Sequence, residues 1–290
     1  MALLIIIGGL QDPLAELELV TSRVLDAVAR EERFDAAVAI FLLRHYLAAD
    51  GAALQDALGV ALAQALEFIA TEPAVIGRAG WLTLLVDATA VAEDERILPA
   101  VADAIAGLRA EWPSQTRIDE AAASVEACLR ASEVVNPDEL VQEAIDQLER
   151  VIGGSYRPGS GLVRERGGVL LRCGLDDHVR GASALLTAFE LTGRLPYSML
   201  AEELAVFGGR EPSADAGVAI QCDAARVLCR LAALHDDPAY RGAAVIAAGA
   251  DYRADAARIL AAVSDRALAG SASDAAAYGL ARRELLQHVR

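Results

Sequence analysis

The residues best suited to acid/base chemistry lie in one segment, Leu175–Leu204, which reads LDDHVRGASALLTAFELTGRLPYSMLAEEL. Histidine suits proton transfer because its ordinary pKa lies near neutrality, and neighbouring carboxylates can serve as its partner acid or base. We therefore predict catalytic roles for His178, Asp177 and Arg180. Asp176 is assigned to ligand binding. The alternative is that both aspartates only cap a helix and His178 is a first-turn surface residue.

The helix predicted to hold these residues, from about Asp177 to Thr192, has a narrow polar line between two apolar stripes. An ordinary surface helix has one apolar face and one broad polar face. The pattern therefore indicates a helix enclosed on both flanks, with one edge facing a wet interior, as in the inner layer of a ring. The polar line consists of Arg180, Ser183, Thr187 and Glu190.

The rest of the chain repeats this unit in about twelve predicted helices, with a spacing of roughly 40–50 residues that is typical of helical repeats. Even-numbered helices are apolar on two sides, whereas odd-numbered helices have a broad charged face. Neither end of the sequence resembles the polar cap of an open solenoid. We therefore predict an all-α fold, a closed (α/α)6 toroid in a single domain of residues 1–290, over an open solenoid. The even helices are predicted to begin near Phe34, Arg78, Arg117, Asp177, Ala216 and Asp274.

Three local features complete the predicted architecture. The apolar run before Asp12-Pro13 is interpreted as an extended piece packed on the body, with Asp12 capping the first helix. Asn136 is predicted to cap the seventh helix. The eleventh helix, from about Pro238 to Val263, is predicted to break near Gly249.

The one long non-helical insert is Gly153–Leu175, where strands Gly161–Arg166 and Val169–Cys173 flank a two-glycine hairpin turn. We interpret this insert as a lid whose donors contact an anionic or hydroxylated ligand. The alternative is a structural hairpin that covers the ring. The donors are Tyr156, Arg157, Arg164, Arg166 and Arg172.

In a ring, the loops that lead into the even helices line one mouth, and the polar lines run deeper into the interior. The residues predicted to bind ligand there, besides Asp176, are Arg117, Asp119, Tyr156, Arg157, Gln221 and Asp87. Other polar lines pair Thr83 with Asp87, Glu126 with Arg130, and Asp223 with Arg226 and Arg230. Arginine–carboxylate pairs of this kind are more often internal salt bridges than binding groups.

Bulk composition excludes several function classes. The net charge of −16 argues against a nucleic-acid or anionic-membrane partner. All 26 basic residues are arginine, which excludes a lysine Schiff base. The 4 cysteines lack CxxC spacing and are predicted to be core residues in a reducing cytoplasm. No metal or cofactor is expected, and the protein is expected to be a cytoplasmic monomer or homodimer.

The Leu175–Leu204 motif resembles the helix-pair repeats of the six-hairpin α/α-toroid superfamily. More narrowly, it resembles N-acylglucosamine 2-epimerase-like proteins and the helical domain of bacterial thioredoxin-domain proteins related to spermatogenesis-associated protein 20. The unit QCDAARVLCRLAALHDDPAYRGAA is similar to their next repeat, and the resemblance covers about Ser155–Ala262. It implies a barrel whose cavity opens where the inner helices begin. Epimerases of this fold are expected to use two lumen histidines. Besides His178, the only histidine of a predicted inner helix is His45, which lies near the C-terminal end of its helix, so the sequence departs from that pattern.

These observations favour a toroid that binds a polar small molecule or carbohydrate and performs isomerase-like or lyase/hydrolase-like acid/base chemistry. One alternative is a non-catalytic helical-repeat scaffold that binds a protein partner. A third is a terpenoid-processing toroid, against which the 4% aromatic content argues. An enzyme predicts a deep cavity with converging polar groups, whereas a scaffold predicts a filled centre and an exposed apolar patch.

Overall fold

The computed structural model describes residues 13–30, 33–48, 51–135, 137–208, 215–243 and 249–287. These contain thirteen α-helices, one 3₁₀ turn and a small sheet. The helices are α1 Pro13–Ala29, α2 Ala36–Tyr46, α3 Ala52–Phe68, α4 Val75–Ala88, α5 Ile97–Glu111, α6 Ile118–Ala131, α7 Pro137–Ser155, α8 Leu175–Thr192, α9 Leu195–Gly208, α10 Val218–Asp236, α11 Pro238–Ala243, α12 Tyr252–Ala269 and α13 Ala272–Gln287. The 3₁₀ turn is Trp112–Ser114, and the strands are β1 Tyr156–Arg157, β2 Gly161–Arg166 and β3 Val169–Arg172.

Six helices form a closed inner ring in which α2, α4, α6, α8, α10 and α13 each pack against the next, and α13 packs against α2. An outer helix packs against each neighbouring inner pair, in the order α3, α5, α7, α9, α12 and α1. This arrangement is a six-hairpin α/α toroid, and it confirms the fold class predicted from the alternating helix types. Apolar side chains from both layers form one continuous core.

The first and last hairpins close the ring through a buried polar contact between α1 and α13. The Tyr278 hydroxyl donates a hydrogen bond to Oε2 of Glu16 at 2.8 Å. Nε of Arg282 lies 3.0 Å from the same oxygen. Glu16 is only 8% exposed, and these two partners satisfy its buried carboxylate. The contact joins residues that are 262 positions apart in the chain.

The inner helices begin close to the predicted positions, and local sequence explains the ends. Asp35 caps α2, with its Oδ1 accepting the backbone N–H of Ala37 at 3.1 Å and of Val38 at 3.3 Å. Gly193 ends α8 in the left-handed conformation, with φ of +66°. The predicted eleventh helix corresponds to α11 and α12, and Gly249, where a break was predicted, lies in a turn. All 4 cysteines are buried free thiols, as predicted.

The insert forms a three-stranded antiparallel sheet in the order β1-β2-β3. The predicted hairpin is confirmed, and its register pairs Arg166 with Val169 across Gly167 and Gly168. Both glycines have positive φ, +61° and +78°, as a tight hairpin turn of this hand requires. Strand β1 is too short for its pattern to predict it.

Some predictions concern residues outside the described part of the chain. They are the extended N-terminal run and the capping roles of Asp12 and Asn136. None of the helices in the described ranges combines the length and the apolar character needed to span a bilayer.

Candidate functional site

A cavity of about 490 Å³ lies on the axis of the toroid and is lined by side chains from all six inner helices. Volumes of this size are typical of small-molecule sites. Its carboxylates are Asp35, Glu126, Glu190, Asp223 and Glu284. Its guanidinium groups are Arg44, Arg130, Arg180, Arg226 and Arg230. The polar lines predicted from helical spacing therefore do face the interior, which confirms that part of the sequence interpretation.

Glu126, on α6, is the most heavily contacted carboxylate of the cavity. Its Oε1 accepts hydrogen bonds from Ser183 Oγ at 2.8 Å and Thr187 Oγ1 at 3.1 Å. A guanidinium nitrogen of Arg130 and one of Arg230 each lie 3.5 Å from the same oxygen. Burial by itself would raise the pKa of Glu126, but the two arginines and the Ser183 hydroxyl outweigh it and hold the pKa below its usual range. Glu126 is therefore an ionised carboxylate whose contacts converge on one oxygen.

Arg230, on α10, ties three inner helices together beside Glu126. It donates to the backbone oxygen of Ser183 at 3.1 Å, to its hydroxyl at 3.0 Å and to Thr187 Oγ1 at 2.9 Å. It also forms an ion pair with Glu190 at 3.0 Å. Because its guanidinium N–H groups are largely used within the wall, Arg230 fixes the geometry of the cavity.

A second network crosses from α8 through α10 to α13. Nε of Arg226 donates to Glu284 Oε1 at 2.9 Å. Asp223 lies between two arginines, with Arg226 and Arg180 each 3.5 Å away on separate oxygens. The Glu284 and Asp223 carboxylates raise the pKa of Arg226 above its ordinary value despite burial. This side of the cavity therefore presents alternating positive and negative groups.

The cavity wall contains no aromatic side chain and no histidine among the described residues. A ligand would therefore be recognised by hydrogen bonds and charge rather than by ring stacking. A smaller pocket of about 110 Å³ adjoins it and shares Arg130 and Glu190. Asp87, a predicted ligand-binding residue, lines this smaller pocket and pairs with Arg44 at 2.9 Å.

His178 lies away from the cavity wall and is 1% exposed. Its Nε2 accepts the backbone N–H of Leu162 at 3.0 Å, and its Nδ1 lies 2.8 Å from the carbonyl oxygen of Gly174. These partners define a neutral ring that carries its proton on Nδ1. Burial lowers the pKa of His178. Both nitrogens are thus engaged in fastening β2 to the start of α8, and the residue is not at the surface as the alternative interpretation required.

Asp177 caps α8 and links it to α6. Its Oδ2 accepts the backbone N–H of Gly174 at 3.0 Å, and its Oδ1 accepts that of Asp119 at 3.3 Å. Asp119 in turn lies 2.5 Å from Arg117, and Arg164 of the hairpin lies 3.8 Å from Asp177. These residues form an ion-pair cluster where two inner helices begin.

The remaining predicted site residues do not converge on one point. Asp176 is exposed. Gln221 is buried and donates to the backbone oxygen of Ala216 at 3.0 Å. Burial and the Glu203 carboxylate raise the pKa of Tyr156 to about 12, and Arg157 donates to the Tyr156 backbone oxygen at 2.7 Å. Of the predicted set, Arg180 alone lines the main cavity, and the catalytic roles of His178 and Asp177 stay predictions.

Sequence reasoning identified Glu126, Arg130, Asp223, Arg226 and Arg230 but interpreted them as salt bridges rather than as a site. It did not select Arg44 or Glu284. The sequence did contain one signal for Arg44: it is an isolated charged residue on the otherwise apolar helix α2, which indicates a polar environment at that position.

Comparison with solved structures finds carbohydrate-processing toroids. The GH76A alpha-1,6-mannanase of Salegentibacter sp. HEL1_6 is 11% identical, with 96% of this chain and 100% of that chain covered and a TM-score of 0.68. An inactive variant of that enzyme with two aspartates replaced, in complex with alpha-1,6-mannotetrose, is 10% identical. The match covers 95% of this chain and 99% of that chain, with a TM-score of 0.69. An unsaturated glucuronyl hydrolase with dGlcA-Glc-Rha-Glc is 13% identical. The match covers 88% of this chain and 84% of that chain, with a TM-score of 0.67.

No protein-family model matches the sequence, and neither does any curated protein. At identities of 10–13% the structural likeness establishes the fold alone. The chain therefore has the architecture of the six-hairpin α/α-toroid glycoside hydrolases.

Proposed function

We propose that the protein binds a carbohydrate or similar polyhydroxylated small molecule in the axial cavity, with Glu126 as a central hydrogen-bond acceptor. The observation that carries this proposal is the convergence of charged side chains from five of the six inner helices on one cavity of about 490 Å³. Sugar hydroxyls both donate and accept hydrogen bonds, so they match a wall in which carboxylates and guanidinium groups alternate. The mannotetrose and dGlcA-Glc-Rha-Glc bound by the structural neighbours support the ligand class.

The contacts of Glu126 support its role as an acceptor. Four groups approach Oε1, and no hydrogen bond from the described residues reaches Oε2. The side chain is 19% exposed, so Oε2 can meet a ligand. Glycoside hydrolysis also requires a carboxylic acid with a raised pKa, whereas the pKa of Glu126 is lowered. Glu126 is therefore suited to binding or to a base role, not to that of the acid.

The second candidate is acid/base catalysis at the start of α8. It is favoured by the consecutive Asp176 and Asp177, because a structural neighbour is inactive when two aspartates are replaced. The two carboxylates here have contrasting surroundings, one exposed and one buried, as paired catalytic carboxylates often do.

The other functions weighed above receive less support. The cavity wall described here lacks the histidines expected of an epimerase-like site and the aromatic side chains expected of terpenoid chemistry. A scaffold role retains one supporting feature, the exposed apolar side chains Val169, Leu170 and Leu171 on β3. The resemblance to epimerase-like proteins, the cytoplasmic location and the monomeric or dimeric state stay predictions.

Isothermal titration calorimetry of the folded protein with manno-oligosaccharides and uronate-containing oligosaccharides tests the proposal. Glu126→Gln should weaken binding by about tenfold or more, because a charged acceptor is lost. The exposed Glu18→Gln variant serves as control and should bind as the wild type does. Binding that survives Glu126→Gln but is lost in a folded Asp177→Asn variant would move the site to the start of α8.

A further inference from the structure

Arg283 lies on the last turns of α13, where they face the end of α2. One of its guanidinium nitrogens is 2.8 Å from Nδ1 of His45. Nε2 of His45 is 3.3 Å from the Thr21 hydroxyl, which itself donates to the carbonyl oxygen of Leu17 at 2.7 Å. The donor of each hydrogen bond in this series is therefore fixed: Arg283 donates to His45, His45 donates to Thr21, and Thr21 donates to the Leu17 carbonyl. His45 is neutral in this arrangement and supplies no negative charge to Arg283.

No carboxylate of the described residues pairs with Arg283, although the side chain is partly buried. Burial, together with the charge of a neighbouring cation, Arg44, lowers the pKa of Arg283. Arg44 has one carboxylate partner, Asp87, at 2.9 Å. The group thus contains two guanidinium ions and one carboxylate, and Glu284 is directed instead toward Arg226. A partly buried cation without a counter-ion is costly unless an anion can be bound beside it.

This group of charges reaches the axial cavity through Arg44, which lines it. Arg283 lies beside the wall rather than in it: Glu284 and Gln287, one position and one helical turn beyond Arg283, line the cavity. Within Arg283, the single hydrogen bond to His45 leaves most of the N–H donors of the guanidinium available. Arginine pairs are well suited to carboxylate and phosphate because the planar fork can bind two oxygens.

We propose that Arg283 and Arg44 bind an anionic group, a carboxylate or a phosphate, carried by the ligand of the axial cavity. The proposal rests on the function proposed above and specifies its ligand as an acidic sugar, a uronate or a sugar phosphate. A neutral sugar would leave the extra positive charge at the end of α2 and α13 uncompensated.

Calorimetry with D-glucose, D-glucuronate and D-glucose 6-phosphate at constant ionic strength tests this proposal, because constant salt removes general screening effects. We expect the wild type to bind the two acidic ligands about tenfold or more tightly than glucose. Arg283→Gln should abolish that preference, Arg283→Lys should keep part of it, and the exposed-arginine control Arg96→Gln should retain it. Circular dichroism of each variant verifies folding.

A second readout separates the two proposals. Inorganic phosphate should raise the melting temperature of the wild type above that in sodium chloride of equal ionic strength, and should not do so for Arg283→Gln. Sugars that bind with no preference for the acidic forms would overturn the anion site and leave the function proposed above intact. Phosphate stabilisation that depends on Arg283, without binding of any sugar, would retain the anion site and overturn carbohydrate binding. Absence of both effects would overturn both.

Discussion

Glu126 places a negative charge inside a ring of apolar helices, and its cost is offset by two arginines and two hydroxyl donors. An unfolded glutamate has a pKa of about 4.3. Since the pKa of Glu126 is lower in the folded protein, its contribution to stability is fully present above about pH 4.3 and is lost as pH falls through the folded value.

Glu126→Gln should therefore lower the free energy of unfolding at pH 7 by about 1–3 kcal/mol. It should also make the acid limb of the stability profile shallower. Urea unfolding between about pH 3 and pH 7 measures both effects, with Glu18→Gln as the exposed control. Parallel acid limbs in Glu126→Gln and the wild type would show that this carboxylate is not stabilised in its ionised form.

His178 provides a contrasting case, in which burial keeps a titratable ring neutral. Its lowered pKa means that the unfolded chain binds the proton more readily. The stability gained from neutral His178 is thus fully present above its unfolded pKa of about 6.5 and is lost as pH falls toward the folded value.

His178→Phe should destabilise the protein by about 1–3 kcal/mol, because it leaves the buried Leu162 N–H without an acceptor and removes the ring N–H that the Gly174 carbonyl accepts. It should also remove the loss of stability between about pH 6.5 and pH 5 that the wild type shows. Urea titrations across that range measure the effect. A variant with unchanged stability that lost a catalysed reaction would instead support the catalytic role predicted for His178.

At the scale of single elements, the sequence predicts which face of a helix is polar more accurately than it predicts the tertiary contacts of that face. The positions of Arg180, Ser183 and Glu190 follow from helical periodicity alone, and these residues do line the cavity. The fate of His178 depends on β2, which precedes it by 16 residues. Local sequence pattern contains no information on such a tertiary contact. His178, which was predicted to be catalytic from its residue type, is therefore buried against the hairpin and does not line the cavity.

The hairpin offers a direct test of how closely β2 must approach α8. Gly161 has φ of +74°, and a Cβ atom there would lie 2.6 Å from Nε2 of His178 and 2.9 Å from Cδ2 of Phe207. Gly159 has the same φ of +74°, but its Cβ would meet no atom within 4 Å. The pair therefore separates backbone strain from steric overlap.

Gly159→Ala should cost about 1–2 kcal/mol, the backbone penalty alone. Gly161→Ala should cost clearly more, because the added methyl displaces β2 from His178 as well. Chemical denaturation measures the difference, and hydrogen exchange at the Leu162 amide reports whether its bond to His178 opens. Equal destabilisation by the two substitutions would mean that the hairpin relaxes away from α8 without cost.

At the scale of the whole molecule, closure distinguishes this fold from the open solenoid that the same repeat pattern allows. In a solenoid, repeats contact only their neighbours, so a lesion at one end frays locally. Here Tyr278 and Arg282 of α13 meet Glu16 of α1, and each inner helix has a neighbour on both sides. We therefore expect the predicted single domain to unfold as one cooperative unit that includes this seam.

Tyr278→Phe tests that cooperativity because it removes only the hydroxyl that donates to Glu16. We expect a loss of about 1–2 kcal/mol, equivalent to a fall in melting temperature of roughly 2–6 °C for a chain of this size. The two tryptophans, Trp81 on α4 and Trp112 after α5, are buried in hairpins away from the seam. If the ring unfolds as one unit, the midpoint of the thermal transition followed by tryptophan fluorescence should fall by the same number of degrees as the midpoint followed by far-ultraviolet circular dichroism. A tryptophan transition that kept its wild-type midpoint while the helical signal began to fall earlier would show that the seam opens independently, as in a solenoid.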